Sequence, residues 1–280
     1  MSELRVRQPQ FADGMWYSAT ATQLETEVQG YLDDAPAGME LGEIVGLVTP
    51  HAGLRFSGHV AGASVAQLTG TYDNVVLIGP DHRGAAFGQV ATPDVDAWLT
   101  PLGDTPVNRD FLQALQDEFP LHFLGADHEH SLEIELPFLQ MKLHNFNLIP
   151  LMMGSQTPST CRQLGRALAE VIQSNRFGKV LLVASSDLSH FFDDDTARQL
   201  DHETIQFMLD MDGDSLADHA ELGRSQNKPL ACGAGPVATV IHTAQALGAT
   251  QATLIKYATS ADVHPDKSRV VGYAAVVFSK

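Results

Sequence analysis

Three short apolar runs constrain this chain more than any other feature: residues 44–48, 75–78 and 180–184. Each is long enough for a buried strand and too short for a buried helix. Each also ends in side chains that can bind a metal or carry a proton. The first runs into Thr49-Pro50-His51 and the second into Gly79-Pro80-Asp81-His82. The third runs into Ser185-Ser186-Asp187, with His190 expected in the loop that leaves this strand. In open α/β sheets, ligands bind outside the carboxyl ends of the strands. If the three runs are parallel neighbours, residues far apart in sequence meet in one crevice.

The remaining pattern supports that arrangement. Leu24, Val28, Tyr31 and Leu32 mark one face of a helix that follows Ser18. Further helices are expected over 57–68, 108–119 (with Asn108 as cap), 158–174, 196–209, near 215–222 and over 233–247. Strands are expected over 146–152, 253–257 and 270–278, and extended or hairpin structure over 89–102. Strands alternating with helices predict an α/β fold with a mainly parallel central sheet flanked by helices. There is no fixed-period repeat and no obvious linker, so residues 1–280 read as a single domain.

Composition sets the company the chain keeps. Apolar residues make up 44%, enough for a sizeable core. Asp and Glu number 34 against 17 Lys and Arg, a formal net charge of −17. That charge repels phosphate backbones and anionic lipid, so neither nucleic acid nor membrane is an expected partner. The opening Met1-Ser2-Glu3-Leu4-Arg5 has no apolar stretch behind it, and no run approaches the roughly 20 residues of a membrane helix. The expectation is a cytoplasmic protein, with Cys161 and Cys232 as free thiols.

Several segments carry potential chemistry. His51 and His82 both follow a proline closely at a strand end, and neutral imidazole is the commonest metal ligand. Asp127-His128-Glu129-His130-Ser131-Leu132-Glu133 is dense in titratable groups. His130 and Glu133 are spaced to share a helix face, where they could orient ligands; equally, the segment could be a capped helix start. Asp187 and His190 suit acid–base work, and the G-x-S-x-G elbow of a serine hydrolase is missing. Cys232-Gly233-Ala234-Gly235 opens a helix whose dipole would favour a thiolate, and the glycines permit close approach. Cys161 has no such surroundings and reads as structural.

In combination these segments resemble the Memo family, which includes the AmmeMemoRadiSam system protein B proteins. The resemblance rests on Pro50-His51-Ala52-Gly53, Ile78-Gly79-Pro80-Asp81-His82, Glu129-His130-Ser131-Leu132-Glu133, Pro137-Phe138, Ser185-Ser186-Asp187-Leu188-Ser189-His190 and Cys232-Gly233, in that order. Trp16-Tyr17 and Gly272-Tyr273-Ala274 add to it, so it spans nearly the whole chain. It implies a fold like that of the class III extradiol dioxygenases, which hold iron with two histidines and a carboxylate. By motif, His51, His82 and Cys232 become the implied metal ligands, His190 the acid–base histidine, and Asp187 and His130 groups that line or support the site. Asp81 stands where the family motif has Ser, and Cys232 where the dioxygenases have a carboxylate.

The implied function is metal-dependent redox chemistry on a small molecule. Iron is the first candidate for the ion, with copper or zinc next. The alternative is a non-enzymatic partner- or peptide-binding module with a vestigial dioxygenase-like site. The family name further implies association with an AMMECR-type protein and a radical S-adenosylmethionine enzyme.

Overall fold

The computed structural model describes residues 4–280. In chain order the strands are β1 (Val6–Arg7), β2 (Ile44–Thr49), β3 (Asn74–Pro80), β4 (Val90–Pro93), β5 (Ala97–Thr100), β6 (Gly103–Pro106), β7 (His122–Leu124), β8 (Asn147–Met153), β9 (Val180–Ser185), β10 (Asp187–Phe192), β11 (Gln251–Thr259) and β12 (Val270–Ser279). The α-helices are α1 (Ala21–Asp33), α2 (Leu54–Ala66), α3 (Arg109–Glu118), α4 (Leu136–Leu143), α5 (Pro158–Gln173), α6 (Asp194–Leu209), α7 (Gly213–Ser225) and α8 (Ala234–Ala246).

The main sheet has nine strands in the order β10-β12-β2-β9-β3-β8-β4-β7, with β11 also paired to β12. A small sheet joins β1, β5 and β6. The three apolar runs are β2, β3 and β9, and they are parallel neighbours as the sequence suggests. β8 extends this parallel block on the far side of β3. Beyond it the sheet is mixed, because β12 runs antiparallel to β2, β10 and β11, and β4 runs antiparallel to β8. Parallel pairing thus fills the centre and returns at one edge, where β7 runs parallel to β4.

Every residue of β2, β3 and β9 is buried. Such strands need cover on both faces, which is why they read as unbroken apolar runs instead of alternating ones. α8 packs on β2, β3 and β9, while α2 lies against β2 and β12 and against α1 and α4. Contact is close enough that a Cβ at Gly46 of β2 would lie 2.9 Å from Val240 Cγ1 of α8. Helix starts follow the capping logic: Asn108 accepts from Phe111 N at 3.0 Å, and Asp193 from Thr196 N at 3.0 Å. Among the described residues, no helix is long and apolar enough to cross a membrane.

Two local expectations are corrected. Residues 127–133 do not form a helix that aligns His130 with Glu133; only Glu133–Glu135 makes a 3-10 turn, and His130 precedes it in irregular backbone. The segment holding His190 is strand β10 and not a loop. Its pairing to β12 is irregular, with register shifts on either side of His190 and a positive φ of 68° at Phe191. Such irregularity erases the period-2 pattern by which a strand is recognised.

Candidate metal centre

The carboxyl ends of β2, β3 and β9 open into a cavity of about 790 Å³ lined by His51, His82, His130, Asp187 and His190, among others. Candidate ligand atoms of His51, His82 and His130 all lie within 4.8 Å of one another, so these three could hold a metal ion. The rings sit close: the His51 and His82 centroids are 5.2 Å apart, and His130 stacks on His82 at 4.6 Å. His130, expected behind the ligands, therefore stands in the cluster itself.

Each of the first two imidazoles is anchored at its rear nitrogen. His51 Nδ1 lies 2.7 Å from Ser185 Oγ. Ser185 has one hydroxyl proton, and Ser131 O at 2.7 Å can only accept, so that proton goes there or to Glu135 at 2.9 Å. His51 Nδ1 must then donate, and Nε2 keeps its lone pair. His82 donates through Nδ1 to Glu129 Oε1 at 2.9 Å, which likewise frees Nε2. A carboxylate or hydroxyl behind a histidine is the usual way to fix a metal-binding tautomer. His130 Nδ1 is buried without an aligned hydrogen-bond partner, although Glu129 Oε1 is 3.2 Å away. Two pre-set lone pairs and one orphaned imidazole nitrogen fit a cation.

Charge balance favours the same state. Burial, with help from neighbouring histidines, drives the His51 imidazole well below its ordinary range. Burial also lowers His130, to about 4, against the raising influence of Glu129. Burial pushes Glu129 up, but the hydrogen bond and charge of His82 outweigh it and leave that carboxyl at about 2. His51 and His130 are thus neutral and Glu129 ionised, as ligation requires.

The other expected residues fall as follows. Cys232 Sγ lies 3.3 Å from His51 Nε2 and 3.6 Å from Asp187 O. It touches the cluster through His51 without joining the compact set. Its helix-dipole expectation is corrected: burial, and then the charge of Asp187, push the thiol up, so without a metal it keeps its proton. Gly233 earns its place by steric need, since a Cβ there would stand 2.3 Å from Ser185 O. Asp187 accepts from His51 N at 2.9 Å, and burial raises its carboxyl to about 7. His190 lines the cavity, and burial lowers its imidazole. Asp81 accepts the backbone N–H groups of Arg83, Ala85 and Ala86, which holds the loop after His82.

Glu133 does not reach the histidines. It is paired with Arg7 and accepts from Tyr17 Oη, Gln10 N and Phe11 N. The orienting carboxylate is Glu129, four residues earlier in the same dense segment, and sequence reasoning passed over it. Glu135 was also missed: both its oxygens are engaged, by Ser185 and by Thr49 at 3.0 Å. No spacing rule identifies either residue, because both act across the sheet ends.

Glu135 yields a pH prediction. Burial pushes its carboxyl well above the usual range. The folded state therefore holds a proton that the unfolded chain releases above about pH 4.3. Stability from this group is fully present below that pH and is lost as pH rises. Glu135→Gln should remove the loss. Relative to wild type, the variant should gain about 1.4 kcal/mol for each pH unit above that point, up to the folded-state value. Urea unfolding of both proteins at pH 5 and pH 8 measures it; an unchanged difference between them would refute the assignment.

The fold is thus an α/β sheet whose central parallel strands end at a cavity where three histidines stand close enough together that they could hold a metal ion. The family model described as Memo-like protein matches residues 7–277. A MEMO1 family protein of Methanosarcina mazei is 34% identical over 281 residues, covering 98% of this chain and 99% of that one. Another, from Methanopyrus kandleri, is 37% identical over 245 residues, covering 84% and 83%. The chain belongs to the Memo family. Among solved structures, an uncharacterized protein from Escherichia coli K12 shares the fold, with a TM-score of 0.54 at 12% identity, covering 84% of this chain and 100% of that one.

Proposed function

We propose that the cavity is a metal centre for redox chemistry on a small molecule. The observation that carries this reading is the rear anchoring of His51 and His82 by Ser185 and Glu129, which presents two lone pairs to one point. His130 completes the compact set, and Cys232 is close enough to His51 to act as a ligand once its proton is displaced. Imidazole and thiolate together suit iron, copper or zinc. A redox-active ion would supply electron transfer and a Lewis-acidic position. His190, on β10 across the cavity, holds or moves a proton on the substrate; burial lowers its imidazole from the ordinary range, which keeps it neutral and able to accept that proton. Asp187 fixes the backbone of His51.

The test is metal analysis and the visible spectrum of protein purified without added metal, for wild type and four variants. His130→Ala and Cys232→Ser should each weaken metal affinity by more than the roughly 10–100-fold that loss of a supporting partner costs. Cys161→Ser should not, because that thiol is buried in α5 among apolar neighbours. His190→Ala should keep its metal and its thermal stability while losing turnover on catechol-like substrates. Loss of metal from that variant would make His190 a ligand. Wild type that binds no iron, copper or zinc under any condition would favour the partner-binding module.

A further inference from the structure

On β12, Val271 and Tyr273 are next-but-one neighbours and both line the cavity, as strand alternation requires. Their partners on β10 are His190 and Asp187, which are three positions apart. In a regular strand that spacing puts one of the two on the opposite face. Both nevertheless line the cavity. Between the two pairs β10 advances three residues while β12 advances two, which is the geometry of a β-bulge. The extra residue is what turns His190 to the same side as Asp187.

A bulge takes a backbone N–H out of the ladder, and that group needs another acceptor. Here it is Ser189 N, which donates to Asp201 Oδ1 at 2.8 Å. The next amide, His190 N, donates to Pro229 O at 2.9 Å. Asp201 lies on α6, which packs on β10, β11 and β12. Its other oxygen accepts from Tyr257 Oη of β11 at 2.8 Å. The carboxylate also occupies the place of a side chain on β12, since a Cβ at Gly272 would stand 1.8 Å from Asp201 Oδ2. Gly272 falls between Val271 and Tyr273, so α6 reaches it from the face away from the cavity. Asp201 is fully enclosed, and among the described residues it forms no ion pair. Burying a carboxyl without a cation is costly, and the bonds from Ser189 N and Tyr257 Oη offset that cost.

We propose that Asp201 is a positioning residue: by holding the Ser189 amide it keeps the β10 bulge formed and so aims the His190 imidazole into the cavity. Asp201 does not itself line the cavity. The inference rests on the reading of His190 as the proton-holding group of that cavity, but not on a metal or on turnover.

The experiment follows the ring resonances of His190 in chelator-treated full-length protein carrying 13C-labelled histidine, assigned by their loss in His190→Gln. Asp201→Ala leaves the Ser189 amide without its acceptor, so the His190 signals should leave their wild-type positions. Asp201→Asn keeps an acceptor oxygen for Ser189 N and can donate to Tyr257 Oη, so it should restore them. Tyr257→Phe is the control for stability alone, because it removes the other bond to the same carboxylate and leaves the bulge held. Asp201→Ala and Tyr257→Phe should each lower Tm, by roughly 2–10 °C. Only Asp201→Ala should move His190. Should that variant fail to fold, Asp201→Ser, whose shorter side chain leaves room for a water, makes the same comparison. Unmoved His190 signals in Asp201→Ala or Asp201→Ser would overturn the proposal. So would an equal displacement in Tyr257→Phe, or one in Asp201→Asn as large as in Asp201→Ala. Wild type without metal or turnover would sink the redox reading and leave this result standing, whereas unmoved His190 signals beside an active wild type would sink this inference alone.

Discussion

His82→Ala and His51→Ala should each leave the purified protein with almost no metal, while Cys161→Ser retains the wild-type content. The two imidazoles are the pair whose rear nitrogens are both spoken for, by Glu129 at 2.9 Å and Ser185 at 2.7 Å. Removing either takes away a lone pair already aimed at the cluster and leaves only two of its three imidazoles. The effect should exceed the 10–100-fold expected when a supporting partner is lost. The His51 side chain is also fully enclosed, at 1% exposure, so its truncation opens a void next to Ser185. His82 is partly exposed, and its variant should fold nearly as well as wild type. Metal stoichiometry by elemental analysis, alongside thermal unfolding, separates the two effects. Wild-type metal content in His82→Ala would end the assignment of this centre.

Arg7→Leu should give the largest loss of stability. The guanidinium is buried against two carboxylates, with Nε and one Nη each 2.8 Å from Asp127 and the other Nη on Glu133. The same group donates to Glu129 O at 2.8 Å and stacks 4.0 Å from the Trp98 ring centre. Without it, Asp127 and Glu133 remain as buried carboxylates with no cation. Breaking a buried pair in this way costs about 3–5 kcal/mol. For a chain of this size that corresponds to a fall in Tm of roughly 6–20 °C. Because Arg7 pins the segment that carries Glu129 and His130, metal affinity should fall in the same variant. Denaturant unfolding at neutral pH with a loss below about 1 kcal/mol would show that the network is dispensable.

The parts of this architecture that could be read in advance share a physical origin. β2, β3 and β9 are buried on both faces, and continuous burial leaves a continuous apolar run. The caps at Asn108 and the Pro158 helix start are local chemistry, settled within a few residues. His51 and His82 stand out because each ends such a run. β10 escaped notice because its ladder is bulged at His190. The state of Cys232 was misjudged for a different reason: a helix start is visible in sequence, but burial beside Asp187 is not, and burial dominates the thiol.

The supporting cast of the centre was legible only in part. The 127–133 segment announces itself by its density of charge, yet sequence spacing pairs His130 with Glu133. The fold instead gives Glu133 to Arg7 and Tyr17, and gives Glu129 to His82. Those partners lie 126 and 116 residues away for Glu133, and 47 away for Glu129. Local rules carry no information over such separations. By itself the sequence determined the α/β class, the parallel strands that carry His51 and His82, and the family. Tertiary structure alone decided that His130 joins them, that Glu129, Ser185 and Glu135 stand behind them, and that a bulge in β10 brings His190 into their cavity. Strand ends are placed by short-range burial patterns, whereas a binding site is assembled by whichever loops the finished sheet brings together.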